Sequence, residues 1–271
     1  MLEKVLFGCP NLESLELHNV LSILRLEISS LKLTSLSIKD YQNENHDLCL
    51  EIVAPHIKYL QLLGYCDKIR LNVASLISAI LSITFDDLED EDWNSEEECS
   101  YLKELLRSVA HVENLELGPW CIECLSILGL NGWQSPPSSR KFLKFDTALE
   151  QSDFPGICSF LQSSPDLETL TIWYNHRPRD LLIATFEDHQ FSCSLLYLKT
   201  INFIDIHESL SRYEFVVPFV KYLLKNATVL EKFVIAAEFK GGHVSQDYVK
   251  MTQEIQSFPI SSPHASVVFS F

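Results

Sequence analysis

The sequence predicts an α/β solenoid: a curved parallel β-sheet with helices and loops on its convex side. Three observations carry that expectation. A short phrase with apolar residues in the order L-x-x-L-x-L recurs along the 271 residues. Its last two apolar positions alternate with polar ones, the period of a strand buried on one face. Each copy is too small to bury that face alone, so successive copies must stack.

The copies run in order as CPNLESLELHN (9–19), LKLTSLSIKD (31–40), APHIKYLQLLG (54–64), VAHVENLELGP (109–119), SSPDLETLTIWYN (163–175), LLYLKTINFID (195–205) and NATVLEKFVIA (226–236). SLISAILSITF (75–85) reads as a degenerate copy with Leu81 and Ile83 in the strand. Leu15, Leu36, Leu60 and Leu81 follow one another at 21, 24 and 21 residues, the period of a leucine-rich repeat. The intervals then stretch to 34, 55, 28 and 35 residues, reaching Leu115, Leu170, Leu198 and Phe233. Longer units leave room for helices before the strands. YLKELLRSVAHV (101–112) and FPGICSFLQSSP (154–165) show helical apolar spacing. Phe215 to Lys225 does the same, with Pro218 expected in the first turn and Phe219, Val220, Leu223 and Leu224 buried. NGWQSPPSSR (131–140) is a turn-rich insertion. Regular repeats place Asn or Cys three positions past the last apolar residue, to satisfy the turn backbone. Only Asn175 sits there, so no asparagine ladder is expected.

Composition narrows the function. A formal charge of −16 and a pI near 4.9 disfavour nucleic acid as a direct partner. Nine of the thirteen residues in DDLEDEDWNSEEE (86–98) are acidic, and the run is expected to be a solvated insertion. It lacks the glycine turn and alternating ligands of a calcium loop. No stretch is long and apolar enough to span a bilayer, and no membrane association is expected. The start, MLEKVLFGCPNLESLEL, has no basic segment followed by an apolar core. The eight scattered cysteines then read as reduced, mostly buried thiols of a cytoplasmic or nuclear protein.

The stretch LLYLKTINFIDIHESLSRYEFVVPFVKYLLKNATVLEKFVIAAE (195–238), followed by FPISSPHASVVFSF (258–271), resembles the FBD domain of plant F-box/leucine-rich-repeat proteins. CPNLESLEL, APHIKYLQLLGY and NVASLISAILSITF resemble the repeats of the same family. The resemblance implies a leucine-rich-repeat region over 1–190, containing the acidic insertion, and an FBD-like region over 191–271 that continues the solenoid. In that family an F-box docks on the adaptor of a cullin-type ubiquitin ligase, while the repeats and FBD region present the target. Eight residues precede the first phrase, too few for an F-box. The expectation is therefore the target-binding part alone, with the adaptor a partner only if the full-length product carries an F-box. The rival readings are a stand-alone interaction protein or decoy, and a hydrolase with a site assembled between the solenoid and its cap, which loss of activity on His207→Ala or Asp205→Ala would have to support.

Two further features bear on chemistry. CIEC (121–124) has metal or redox spacing, but no second pair completes a zinc site. A redox pair opens a helix in a βαβ unit, whereas this one follows a repeat strand, so two packing thiols are expected. No nucleophile elbow, phosphate loop, dinucleotide fingerprint or zincin motif occurs, and neither catalysis, cofactor nor metal is expected. What remains is the strand surface. Side chains alternating with the buried positions face solvent on the concave side: Ser14, Glu16, His18, Ser37, Lys39, Gln61, Leu63, Glu116, Thr171, Trp173, Asn202 and Ile204. Leu63, Trp173 and Ile204 are apolar where the register predicts exposure. An aromatic anchor in polar surroundings suits a protein target.

Overall fold

A computed structural model describes residues 6, 8–43, 48–66, 68–84, 95–174, 195–207, 213–238 and 244–270. It is an α/β structure whose strands pair in parallel, and it divides into two compact units, Met1–Cys124 and Leu125–Phe271.

The first unit holds β1 (Ser14–Leu21), β2 (Arg25–Glu27), β3 (Ser35–Gln42), β4 (Leu50–Val53), β5 (Tyr59–Cys66), β6 (Ile69–Asn72), β7 (Ser78–Thr84), α1 (Ser95–Ser108) and β8 (Asn114–Leu117). The helix α2 (Pro119–Leu130) begins in it. Strands β1, β3, β5, β7 and β8 form one parallel ladder in chain order. The register aligns the phrase: Leu15, Leu36, Leu60, Ala79 and Leu115 form one row, and Leu17, Ile38, Leu62, Leu81 and Leu117 the next. Both rows face the core, and from β3 onward they are almost wholly buried. The 21- and 24-residue units are too short for a returning helix. They return through β2, β4 and β6, a second parallel ladder of three- and four-residue strands. Helix α1 packs on β6, where the Ile69 N–H donates to the Tyr101 hydroxyl at 2.6 Å.

The second unit holds β9 (Phe142–Thr147), α3 (Phe154–Gln162), β10 (Thr169–Tyr174), β11 (Thr200–His207), α4 (Tyr213–Asn226), β12 (Lys232–Glu238), α5 (Gln246–Gln256) and β13 (Ser266–Ser270). Its five strands again form a parallel ladder in chain order. Aromatic rings fill this core. Phe203 lies 5.6 Å from Phe233 and 6.4 Å from Phe219, and Phe145 lies 6.2 Å from Phe160.

Seven strand starts among the described residues use one device. The carbonyl between the first two leucine positions of a copy accepts both N–H groups that open the next strand, at 2.8–3.2 Å. Glu13, Thr34, Lys58 and Ile77 do this in the first unit, and Lys141, Glu168 and Lys199 in the second. The bond is made by backbone alone, so it asks for no particular side chain. It organises each ladder although the asparagine positions are occupied by Val20, Tyr41, Tyr65 and Trp120.

The structure corrects several expectations. The 55-residue interval hides a copy, because β9 is R-x-x-L-x-F with Arg140 in the slot that leucine, isoleucine or valine fills elsewhere. Ile201, not Leu198, lies opposite Leu170, so the last intervals are 31 residues to Ile201 and 32 more to Phe233. Pro218 is inside α4, not in its first turn; its ring is exposed, and its missing N–H leaves the Glu214 carbonyl without its helical donor. Residues 95–98 of the acidic run are the first turn of α1, while 86–94 lie outside the described residues. The Ser/Pro-rich ending contains a strand, β13, and its serines act as fasteners. Ser261, Ser262 and Ser266 donate to the carbonyls of Lys225, Leu230 and Glu231 at 2.6, 2.6 and 3.1 Å.

Candidate functional site

The exposed strand faces are built by the same register that builds the core. In the first unit Glu16, Ser37, Gln61, Ile80 and Glu116 form a row, and His18, Lys39, Leu63 and Ser82 the row beside it. Glu16, His18 and Lys39 are exposed, and Gln61, Leu63 and Glu116 half-buried. The ladder kinks just past the second row. Asn19, Asp40 and Gly64 follow His18, Lys39 and Leu63 and all have positive φ, at 52°, 57° and 69°. The kink turns Val20, Tyr41 and Cys66 back into the core. At Gly64 a side chain would strike the Asp40 carboxylate, which accepts from the Tyr65 N–H at 3.1 Å.

In the second unit Lys144, Thr171, Asn202, Val234 and Val268 form one row, and Asp146, Trp173 and Ile204 the next. Asn202 donates to the Thr171 hydroxyl at 3.3 Å. The Lys144 ammonium lies over the Trp173 ring, 4.5 Å from its centroid, which holds the indole in place while leaving it 39% exposed. Thr171, Asn202 and Ile204 are half-buried around it. Pattern reading found Thr171, Trp173, Asn202 and Ile204 but missed Lys144 and Asp146, because Arg140 disguised their strand. It also missed exposed Phe142, which opens that strand. The signal that could have found them is the F-L-K-F-D-T alternation itself, read without requiring a leading leucine.

The cysteine pair is corrected in position but not in character. Cys121 and Cys124 lie in the first turns of α2, a location that ordinarily favours a thiolate. Burial overrides it. Cys121, whose thiol points to the Leu81 carbonyl at 3.4 Å, is pushed up to about 12 by desolvation. Cys124 is raised by desolvation and by the neighbouring Cys99 thiol. Both are protonated at neutral pH and sealed from solvent. Among the described residues no cluster of three His, Cys, Asp or Glu side chains is placed to hold a metal ion. No helix among them is long and apolar enough to cross a membrane. His207 and Asp205 are in β11, with side chains outside those described.

Stacked parallel strands, one buried face and one presented face define a repeat-built α/β protein of leucine-rich-repeat type. The chain is homologous over most of its length to plant F-box proteins with such repeats. It is 32% identical over 242 residues to an F-box/LRR-repeat protein of Arabidopsis thaliana, covering 86% of this chain and 52% of that relative. An Arabidopsis F-box protein is 33% identical over 183 residues, covering 65% of this chain and 53% of the relative. An F-box/FBD/LRR-repeat protein of the same plant is 25% identical over 253 residues, 87% of this chain and 54% of the relative. The chain thus spans about half the length of these relatives. No family model and no solved structure matches it.

Proposed function

We propose that the chain is a non-catalytic recognition module that holds a protein target on its exposed strand faces. In the full-length product it would serve as the substrate-binding part of an F-box-type ubiquitin ligase receptor, working in the cytoplasm or nucleus. The observation that carries the reading is Trp173, a large ring that stays 39% exposed mid-sheet with the Lys144 ammonium over it. Thr171 and Asn202 supply hydrogen-bonding groups beside it, and Ile204 extends its apolar surface. A rigid aromatic centre with a polar surround is the composition of a binding hot spot. The relatives support the ligase link by their F-box names, and those named for FBD support the FBD-like reading of 191–271. Adaptor contact belongs to an F-box elsewhere only if the full-length product carries one.

The test is a paired pull-down from plant extract with the parent chain and Trp173→Ala, both verified as folded by circular dichroism. Proteins held through this face are lost from the variant, with affinity falling about 30-fold or more for a hot-spot contact of ~2 kcal/mol. An identical bound set would remove Trp173 from the site. Purified ligase adaptor is expected not to bind the 271-residue chain, and its retention would overturn the assignment of adaptor contact elsewhere.

A further inference from the structure

We infer that the outer edge of β13 is a self-association site, at which a second copy of this chain adds its own β13 antiparallel across a two-fold axis. This goes beyond target binding and uses a different surface. β13 pairs with β12 on one side, and among the described residues no strand pairs with the other. The Ser266 N–H is directed at β12, where it donates to the Glu231 carbonyl at 2.9 Å. Backbone groups of a strand alternate sides, so the N–H and C=O groups of Val267 and Phe269 point to the open edge.

That edge lacks the devices that ordinarily blunt one. From Phe258 to Phe271 there is no Lys, Arg, Asp or Glu in a chain of net charge −16, and β13 contains no proline and no positive-φ residue. β1, the terminal strand of the first unit's ladder, shows the contrast. It carries Glu16 and His18 exposed and the Asn19 kink. The core face of β13 is also unfinished. Phe233 and Ile235 of β12 are fully buried, whereas their neighbours Val267 and Phe269 are only half-buried and Val268, on the other face, is 41% exposed.

The occupant follows from the sequence of the strand, Ser-Val-Val-Phe-Ser, which is close to a palindrome. Antiparallel pairing centred on Val268 sets Val267 against Phe269 of the second copy, twice, as hydrogen-bonded pairs on the core face. It sets Ser266 against Ser270 on the other face and Val268 against itself as the close, non-hydrogen-bonded pair. The interface is self-complementary, as two-fold symmetry requires. Five residues a side bury less than a standard interface, so the dimer forms reversibly with concentration.

Sedimentation velocity of the full chain at rising concentration reads the result as a shift from monomer to twice the mass. Val268→Lys should remain monomeric. Two paired variants test the register and share the Lys at 266. The variant with Ser266→Lys and Ser270→Glu apposes opposite charges and dimerises at least as well as the parent. The variant with Ser266→Lys and Ser270→Lys apposes like charges and stays monomeric. Under mild oxidation Val268→Cys yields a disulfide-linked dimer that neither the parent nor Ser266→Cys forms at a comparable rate. A parent monomeric throughout overturns the proposal, as does dimerisation indifferent to these charges or crosslinking at 266 as fast as at 268. A β13 edge that instead captures other proteins while the chain stays monomeric likewise overturns it.

Discussion

At Gly156 two helices meet without a side chain between them. A Cβ built there would lie 2.5 Å from the Ser126 nitrogen and 2.7 Å from the Leu125 carbonyl carbon. These are backbone atoms of α2, which cannot rotate aside as a side chain could. Gly156→Ala is therefore expected to lower stability by roughly 1–3 kcal/mol, the usual cost of overpacking, despite alanine's better helix propensity. Urea denaturation at fixed pH measures it, and an unchanged or higher midpoint would show that α2 and α3 can separate freely. Arg140 shows the other limit of reading residues singly. It is wholly buried, with its guanidinium 4.7 Å from the Phe160 ring centroid and donating to the Ser138 hydroxyl at 3.0 Å. Desolvation lowers it to about 10. An arginine in a leucine slot breaks the phrase on paper while its stem and flat head fill the same space in the fold. That single residue concealed β9, and with it Lys144 and Asp146.

Elements were legible in proportion to how one-sided their environments are. α1 and α4 bury one stripe and expose another, so their period shows in the sequence. α2 buries Trp120, Cys121, Ile122, Cys124, Leu125 and Leu128, nearly all round, and its period vanishes. β2, β4 and β6 are three or four residues long, too short for alternation to register. β13 was hidden by the Ser/Pro setting, yet those serines anchor it. Ser262 is buried, and its hydroxyl is placed 2.6 Å from the Leu230 carbonyl at the entry to β12. Ser262→Ala leaves that carbonyl without the bond and should cost about 1–2 kcal/mol. Ser261 is exposed, and water can replace its bond to the Lys225 carbonyl, so Ser261→Ala should cost under about 0.5 kcal/mol. Comparing the two midpoints separates anchoring from composition, and equal losses would contradict the distinction.

On the scale of the whole molecule, the repeat register and the presented faces were readable because one backbone device and one apolar alternation recur, whereas the molecule's pH response depends on burial that no pattern displays. Cys121 titrates near 9 in an unfolded chain and near 12 in the fold, because burial opposes the thiolate. Cys124 and Tyr101 are raised for the same reason. For each, the folded state holds its proton more tightly than the unfolded state does. The stabilisation is fully present below pH 9, where both states are protonated, and is lost as pH rises toward 12. Unfolding free energy should therefore fall through that window by a few kcal/mol in order of magnitude, with protons released on unfolding. Net charge acts in the same direction, since a chain already at −16 gains further negative charge as pH rises. Salt distinguishes the two causes. Added sodium chloride screens the net-charge repulsion between exposed groups but hardly reaches the buried thiols. Denaturation midpoints followed from pH 8 upward at low and high salt should keep most of their alkaline slope at high salt. Cys121→Ala should flatten that remaining slope while lowering stability at neutral pH. A slope abolished by salt and untouched by Cys121→Ala would assign the whole alkaline response to surface charge.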